Sequence, residues 1–182
     1  MAALTRPWAA DLHHFWFHRL DPSDWYGGGA ELDEELRRRF GGEWRALRHR
    51  RPDEFLVGPR GSLAAILLFD QVPRNIHRDS PLAFASDPLA RSICHAVLAR
   101  GWHSALSMKE RQFLYMPLMH SEEILDQQLS VALFAELGRA LSFARDHRAM
   151  IARFGRFPHR NAVLGRQTTE AEQRSIDAGN AW

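Results

Sequence analysis

The residues best suited to chemistry are concentrated in the stretch 147–161, which reads HRAMIARFGRFPHRN. It holds four arginines, two histidines and an asparagine among phenylalanines, and Gly155 and Pro158 interrupt it. Arginine binds carboxylate or phosphate groups through paired hydrogen bonds, and histidine exchanges protons near neutral pH. A turn at Gly155 and Pro158 can aim several side chains at one point, so the stretch predicts an anion site. Its members would be Arg153, Arg156, His159, Arg160 and Asn161.

Further polar residues lie on helical faces that are otherwise apolar, because residues three or four positions apart share one face of a helix. Asp70 ends one such face, His120 begins a second, His147 lies within a third and Glu122 lies on a fourth. A buried carboxylate without a partner is costly, so we expect Asp70 and Glu122 each to hydrogen-bond an arginine. The arginines considered for this pairing are Arg74, Arg153, Arg156 and Arg160.

Two sets of site residues follow from these patterns. The candidate catalytic residues, which would transfer protons, are His120, Glu122, His147 and His159. The candidate ligand-binding residues are Asp70, Arg74, Asn75, Arg153, Arg156, Arg160 and Asn161. The same residues would also fit a structural role, since buried arginine–carboxylate pairs commonly tie helices together. We assign no metal ligands, because no HExxH motif occurs and residues two positions apart on a helix point to different sides. A metal site assembled across helices stays open.

The elements that must position these residues are helices, since apolar residues recur every three or four positions and no alternating strand pattern is visible. Ser107 with Glu110, and Thr169 with Glu172, have the spacing of capping boxes at helix starts. The predicted helices cover residues 7–20, 32–40, 43–50, 63–70, 87–101, 107–116, 121–137, 139–154 and a segment after Thr169.

Glycine and proline set several of the predicted helix ends. Gly41-Gly42 separates two short helices, Pro73 prevents the helix 63–70 from continuing, and Pro117 ends another. No internal repeat and no domain boundary are visible. We therefore predict a single all-α domain over residues 1–182, built of antiparallel helical hairpins.

The composition is that of a globular chain with balanced charges. The 182 residues are 45% hydrophobic and 25% charged, and 24 basic against 22 acidic residues leave a net charge of only +2. That balance argues against a nucleic-acid partner. The longest apolar run, 63–69, is far shorter than the ~20 residues needed to cross a bilayer, so we expect no membrane contact. A single cysteine, and no signal-peptide pattern at the N-terminus, lead us to expect a cytoplasmic protein.

Three sequence blocks resemble those of a known bacterial family. FDQVPRN (69–75), FLYMPLMHSE (113–122) and RFGRFPHRN (153–161) are similar to the signature blocks of the domain-of-unknown-function family with serial nine-two-four. HFWF, FASDPLA and LGRQTTEAE match as well, whereas Val72 and His77 depart from the usual aromatic residues. The resemblance covers nearly the whole chain and implies an all-α, tetratricopeptide-like superhelix of helical hairpins. It implies no activity.

Two functions from different classes fit the sequence. In the first, a buried arginine, histidine and glutamate pocket binds a small anionic metabolite, with a reaction on that metabolite left open. In the second, the chain is a tetratricopeptide-like module for a protein partner, and its charged cluster is purely structural. A deep cavity at the motif residues would favour the first, whereas an open groove with the motif arginines used in salt bridges would favour the second. The sequence names no cofactor.

Overall fold

The computed structural model describes residues 6–179, and no strand occurs among them, which confirms the all-α prediction. The α-helices are α1 (Pro7–His18), α2 (Pro22–Gly27), α3 (Ala30–Leu47), α4 (Pro59–Ile66), α5 (Val72–Ile76), α6 (Asp87–Ala99), α7 (Met108–Met119), α8 (Ile124–Leu137), α9 (Leu141–Phe154) and α10 (Glu170–Asp177). None of these helices is both long and apolar enough to cross a membrane. The tetratricopeptide-like superhelix, the cytoplasmic location and the single domain over 1–182 stay predictions, and the chain ends of that range lie outside the described residues.

The centre of the fold is the continuous run formed by α4, a π-helical segment (Leu67–Gln71) and α5. Every residue from 61 to 73 is buried, and α1, α6 and α7 pack around α4. A helix that is apolar on all sides can only be accommodated in the interior. The same segment therefore carries Asp70 and Gln71 into the core of the protein.

The prediction that the helix ends at Asp70 because of Pro73 was wrong, since helical structure continues to Ile76. Proline has no N–H, so the carbonyl of Phe69 loses its helical donor. The hydroxyl of Ser86 takes over and donates to the Phe69 carbonyl at 2.6 Å. The chain widens locally into a π-turn, in which the Val72 N–H bonds to the Leu67 carbonyl. Such π-turns occur frequently at functional sites.

Replacing Ser86 by alanine should lower the free energy of unfolding by about 1–3 kcal/mol, the cost of leaving a buried polar group without a partner. Ser86 caps the Phe69 carbonyl and also accepts the indole N–H of Trp44 at 2.9 Å. Urea unfolding of the two proteins measures the difference. Ser92→Ala, on the helix α6 that Ser86 directly precedes, is the control, because its exposed hydroxyl bonds only to the Pro88 carbonyl. Equal losses in the two variants would contradict this role of Ser86.

Two further helix ends differ from prediction. The helices predicted at 32–40 and 43–50 are one continuous helix, α3, which runs through Gly41-Gly42. Gly41 is buried where α3 packs on α5, and that packing outweighs the cost of about 1 kcal/mol for glycine in a helix. Likewise α7 does not end before Pro117 but continues to Met119, and all of its residues from 112 to 119 are buried.

The last long helices form consecutive hairpins. Short connections join α7 to α8 and α8 to α9, and each helix packs against the next. Connections of this length make neighbouring helices antiparallel. The arrangement brings His120, directly after α7, close to His147 in the middle of α9.

Candidate functional site

The candidate site is built around the fully buried carboxylate of Asp70 on the π-helical segment. Its Oδ1 lies 2.8 Å from Nδ1 of His120 and 3.2 Å from Nη1 of Arg74, and Gln71 donates its amide to Oδ2. Arg74 is one helical turn beyond Asp70, whereas His120 arrives from the end of α7. The predicted pairing of Asp70 with Arg74 is therefore confirmed.

Ionic contacts between partly or fully buried side chains of alternating charge lead away from Asp70. Arg74 donates two hydrogen bonds of 2.9 Å each to the carboxylate of Asp87, which begins α6. The guanidinium of Arg160 lies 3.8 Å from Asp87 and is held between the rings of Phe84 and Phe157, at 4.6 and 4.5 Å from their centroids. Sequence reasoning treated the Asp-Pro pair at 87–88 only as a helix start and so missed Asp87.

This environment fixes the protonation of the pair. Burial alone would raise the pKa of Asp70, but the attraction of Arg74 and His120 outweighs burial and holds that pKa well below its ordinary value. Burial lowers the pKa of His120 more than Asp70 raises it. At neutral pH, Asp70 is therefore ionised and His120 neutral. Because a carboxylate only accepts, Nδ1 of His120 carries the proton and Nε2 carries the lone pair.

The other two predicted histidines lie in the same region. The ring centroid of His147 is 6.4 Å from that of His120, and its Nδ1 donates to the Phe143 carbonyl at 2.8 Å. Burial, with the repulsion from His120 once that ring is protonated at low pH, lowers the pKa of His147 to about 3. The ring of His159 packs on Phe157 at 5.7 Å, and burial together with Arg160 lowers its pKa to about 4. Both imidazoles are neutral at pH 7.

A partly enclosed cavity of about 730 Å³ opens beside the Asp70–His120 pair. Four of the predicted site residues line it, namely Arg74, Asn75, His120 and His147. Sequence reasoning missed its other two arginines, Arg78 and Arg139, and also its apolar wall. These residues are spread over several segments of the chain, so no local pattern marked them as a group.

The apolar wall of the cavity is formed by large, partly polarisable side chains. They are Trp25, Met116, Met119 and Phe143. Methionine adapts its shape to a neighbouring group, and tryptophan offers a flat apolar face. The cavity lining therefore combines cationic and apolar side chains.

The remaining predicted residues do not converge as expected. The prediction for Glu122 was wrong: its carboxylate accepts two hydrogen bonds of 2.8 Å from Arg166, which was outside the proposed set, and one from the backbone N–H of Phe157. Arg156 is used by Glu172, at 2.6 and 2.9 Å.

The side chains of the stretch 147–161 consequently do not all converge on one point. Arg153 is exposed and lies over Phe154, and the amide of Asn161 donates to the Thr168 hydroxyl at 3.3 Å. The turn at Gly155 separates these side chains instead of aiming them at one point. Among residues 6–179, no group of three or more histidine, cysteine or acidic side chains is arranged to hold a metal ion.

Comparison with other proteins adds family and fold. The family model described as "Bacterial protein of unknown function (DUF924)" matches residues 12–180. The solved structure of a protein of unknown function from Agrobacterium tumefaciens is 40% identical in sequence, with a TM-score of 0.88 over 94% of this chain and 97% of that chain. No curated protein matches this chain. Neither description assigns an activity, so function has to be argued from the site.

Proposed function

Because the chain belongs to this bacterial family of unknown function, we propose its function from the site alone: the cavity beside Asp70 and His120 binds a small organic anion. One observation carries the proposal. Three arginines and two histidines line the cavity, and no acidic residue does so in the part of the chain that the structure describes. A cavity lined by one sign of charge concentrates ligands of the opposite sign.

The three arginines are not equally available to a ligand. Arg74 is taken up by Asp70 and Asp87, and Arg78 donates to Asp33 at 2.9 Å. Arg139 makes no hydrogen bond or ion pair with any residue between 6 and 179. Its guanidinium can therefore give both arms of its fork to a carboxylate or phosphate group. We assign the main anion contact to Arg139.

The apolar wall defines the rest of the ligand. A volume of about 730 Å³ lies within the range of about 300–1,000 Å³ in which proteins bind small organic molecules. Trp25, Met116 and Met119 would cover a ring or a branched carbon chain and exclude water from it. The ligand class is thus an anion with an apolar body, such as an aromatic carboxylate or phosphate. Inorganic ions would leave this wall unused.

Benzoate and phenyl phosphate should raise the melting temperature of the protein more than acetate and inorganic phosphate at equal ionic strength. A ligand at a hundredfold excess over its Kd stabilises the folded state by about 2.7 kcal/mol. Arg139→Ala should abolish the difference between the aromatic and the simple anions. Thermal unfolding of the full chain with each anion, against sodium chloride as reference, measures the effect.

Arg153→Ala is the matched control, because it removes the same charge from an exposed position outside the cavity. It should leave the shift by benzoate unchanged. If no aromatic anion exceeds the effect of sodium chloride, or if both variants respond alike, the anion site does not exist. The use of Arg156 and Arg166 in internal ion pairs would then favour the alternative function, a protein-interaction module with a structural charge cluster.

A further inference from the structure

We propose that His120, positioned by Asp70, is a catalytic general base that activates water to hydrolyse an ester of an aromatic or similar apolar anion in this cavity. The inference rests on the proposed anion site and adds a reaction to it. It assigns the base to His120 and the positioning carboxylate to Asp70. Glu122, which the sequence had offered as a partner for proton transfer, is fully occupied by Arg166 and Phe157.

The geometry leaves one nitrogen of His120 for chemistry. Asp70 holds Nδ1 with both carboxylate oxygens, at 2.8 and 3.0 Å, from a position with no solvent exposure. Nε2 makes no hydrogen bond to any residue in the described range 6–179, and His120 lines the cavity. A carboxylate on one nitrogen fixes the orientation of the ring and its tautomer, which leaves the other nitrogen as the proton acceptor.

The charges around His120 favour its basic form. Asp70 and Arg74 face the ring directly, with Asp87 and Arg160 behind them, so two carboxylates are balanced by two guanidinium groups. His147 and His159 add no charge at neutral pH, since their pKa values are about 3 and 4. A positive charge on His120 would therefore be uncompensated, and the imidazole is present as the neutral base at pH 7.

The side chains of the cavity select water as the nucleophile. No serine, threonine, cysteine or lysine is among the described residues that line it, so no hydroxyl, thiol or amine side chain there can act as the nucleophile. Nε2 of His120 takes a proton from water while the water oxygen forms a bond to the acyl carbon. The bond from that carbon to the alcohol oxygen then breaks, and the alcohol leaves with the bonding electron pair and the proton held by Nε2. Ester and water become carboxylic acid and alcohol, with no other reactant.

The activity test uses 4-acetoxybenzoate, whose carboxylate and ring match the proposed anion site and whose acetyl ester is remote from its own carboxylate. The full chain should release 4-hydroxybenzoate faster than buffer does, with saturation by the substrate. His120→Gln should lower kcat/KM by at least about 100-fold, as expected for loss of a general base. Asp70→Asn should lower kcat strongly and change KM little, because it acts through His120.

A matched control comes from a similar pair outside the cavity. Nε2 of His95 lies 2.7 Å from Asp126, and the side chain of His95 is 46% exposed. His95→Gln removes a histidine held by a carboxylate without touching the cavity, so kcat/KM should stay at the wild-type value. An equal loss in His95→Gln and His120→Gln would overturn the assignment of the base.

A second measurement needs no variant and keeps the proposal testable if Asp70→Asn does not fold. Nitrogen-15 NMR of the wild-type histidines should show His120 neutral at pH 7 with its proton on Nδ1. A proton on Nε2, or a charged ring, would overturn the proposal. So would the absence of 4-acetoxybenzoate hydrolysis above the buffer rate. If benzoate still stabilises the wild type but not Arg139→Ala, the binding site survives that outcome and only the reaction fails.

Discussion

Asp70→Ala should lower the free energy of unfolding by about 3 kcal/mol, near the lower end of the roughly 3–5 kcal/mol for breaking a buried ion pair. The carboxylate is fully buried and accepts hydrogen bonds from His120 and Gln71 besides its contact with Arg74. Removing the carboxylate leaves these donors in the core without a hydrogen-bond acceptor. The loss stays near the lower end because Asp87 still neutralises Arg74 through two hydrogen bonds.

Urea unfolding at pH 7 compares this variant with Asp11→Ala. Asp11 also pairs with an arginine, Arg39, at 2.6 Å, but its side chain is half exposed. Exposed pairs contribute about 0–1 kcal/mol, so the control should change little. A loss below 1 kcal/mol for Asp70→Ala would show that the charges around Asp70 do not hold the core together.

Lowering the pH from 7 to 5 should destabilise the protein by about 3 kcal/mol through His147 and His159. Their folded pKa values are about 3 and 4, both below the ordinary 6.5 of histidine. Between pH 6.5 and 4 the unfolded chain therefore binds protons that the folded chain does not, and stability falls as the pH falls. His147 contributes about 2 kcal/mol at pH 5 and the partly exposed His159 somewhat less. Asp70, whose pKa is also lowered, loses its contribution only below its unfolded value near 3.8, outside this window.

Unfolding free energies measured at pH 7, 6 and 5 give the slope of stability against pH. In His147→Gln the slope should become shallower, because one of the groups that charge on unfolding is gone. Met150→Leu, on the same buried face of α9, keeps every histidine and should retain the wild-type slope. A pH-independent stability between 5 and 7, or an unchanged slope in His147→Gln, would mean that these imidazoles remain hydrated in the folded protein.

Local interactions were readable from the sequence. The capping boxes of Ser107 with Glu110 and of Thr169 with Glu172 are present, because each joins residues three positions apart. The pairing of Asp70 with Arg74 is another short-range contact, one helical turn long. Periodicity likewise predicted an all-α fold. These predictions depend only on the geometry of a single helix, which determines which side chains along it lie next to each other.

Packing overruled the local signals at glycine and proline. Gly41 and Pro73 each carry a cost for a helix, yet the helices continue through both. At Pro73 the decisive group is the hydroxyl of Ser86, which is thirteen positions away along the chain and replaces the missing donor. A local sequence pattern reveals that such a residue destabilises a helix. It does not reveal the contact from a distant residue that offsets this cost.

The composition of the site was decided by tertiary structure. The sequence indicated that the carboxylates of Asp70 and Glu122, on otherwise apolar helix faces, need arginines, because an unpaired charge in the interior is too costly. It could not show that Arg166 would be the arginine that pairs with Glu122, or that Arg156 would pair with Glu172. Several arginines satisfy the same electrostatic need equally well. Only the tertiary packing determines which arginine pairs with which carboxylate, and among the described residues it leaves Arg139 at the cavity without an acidic partner.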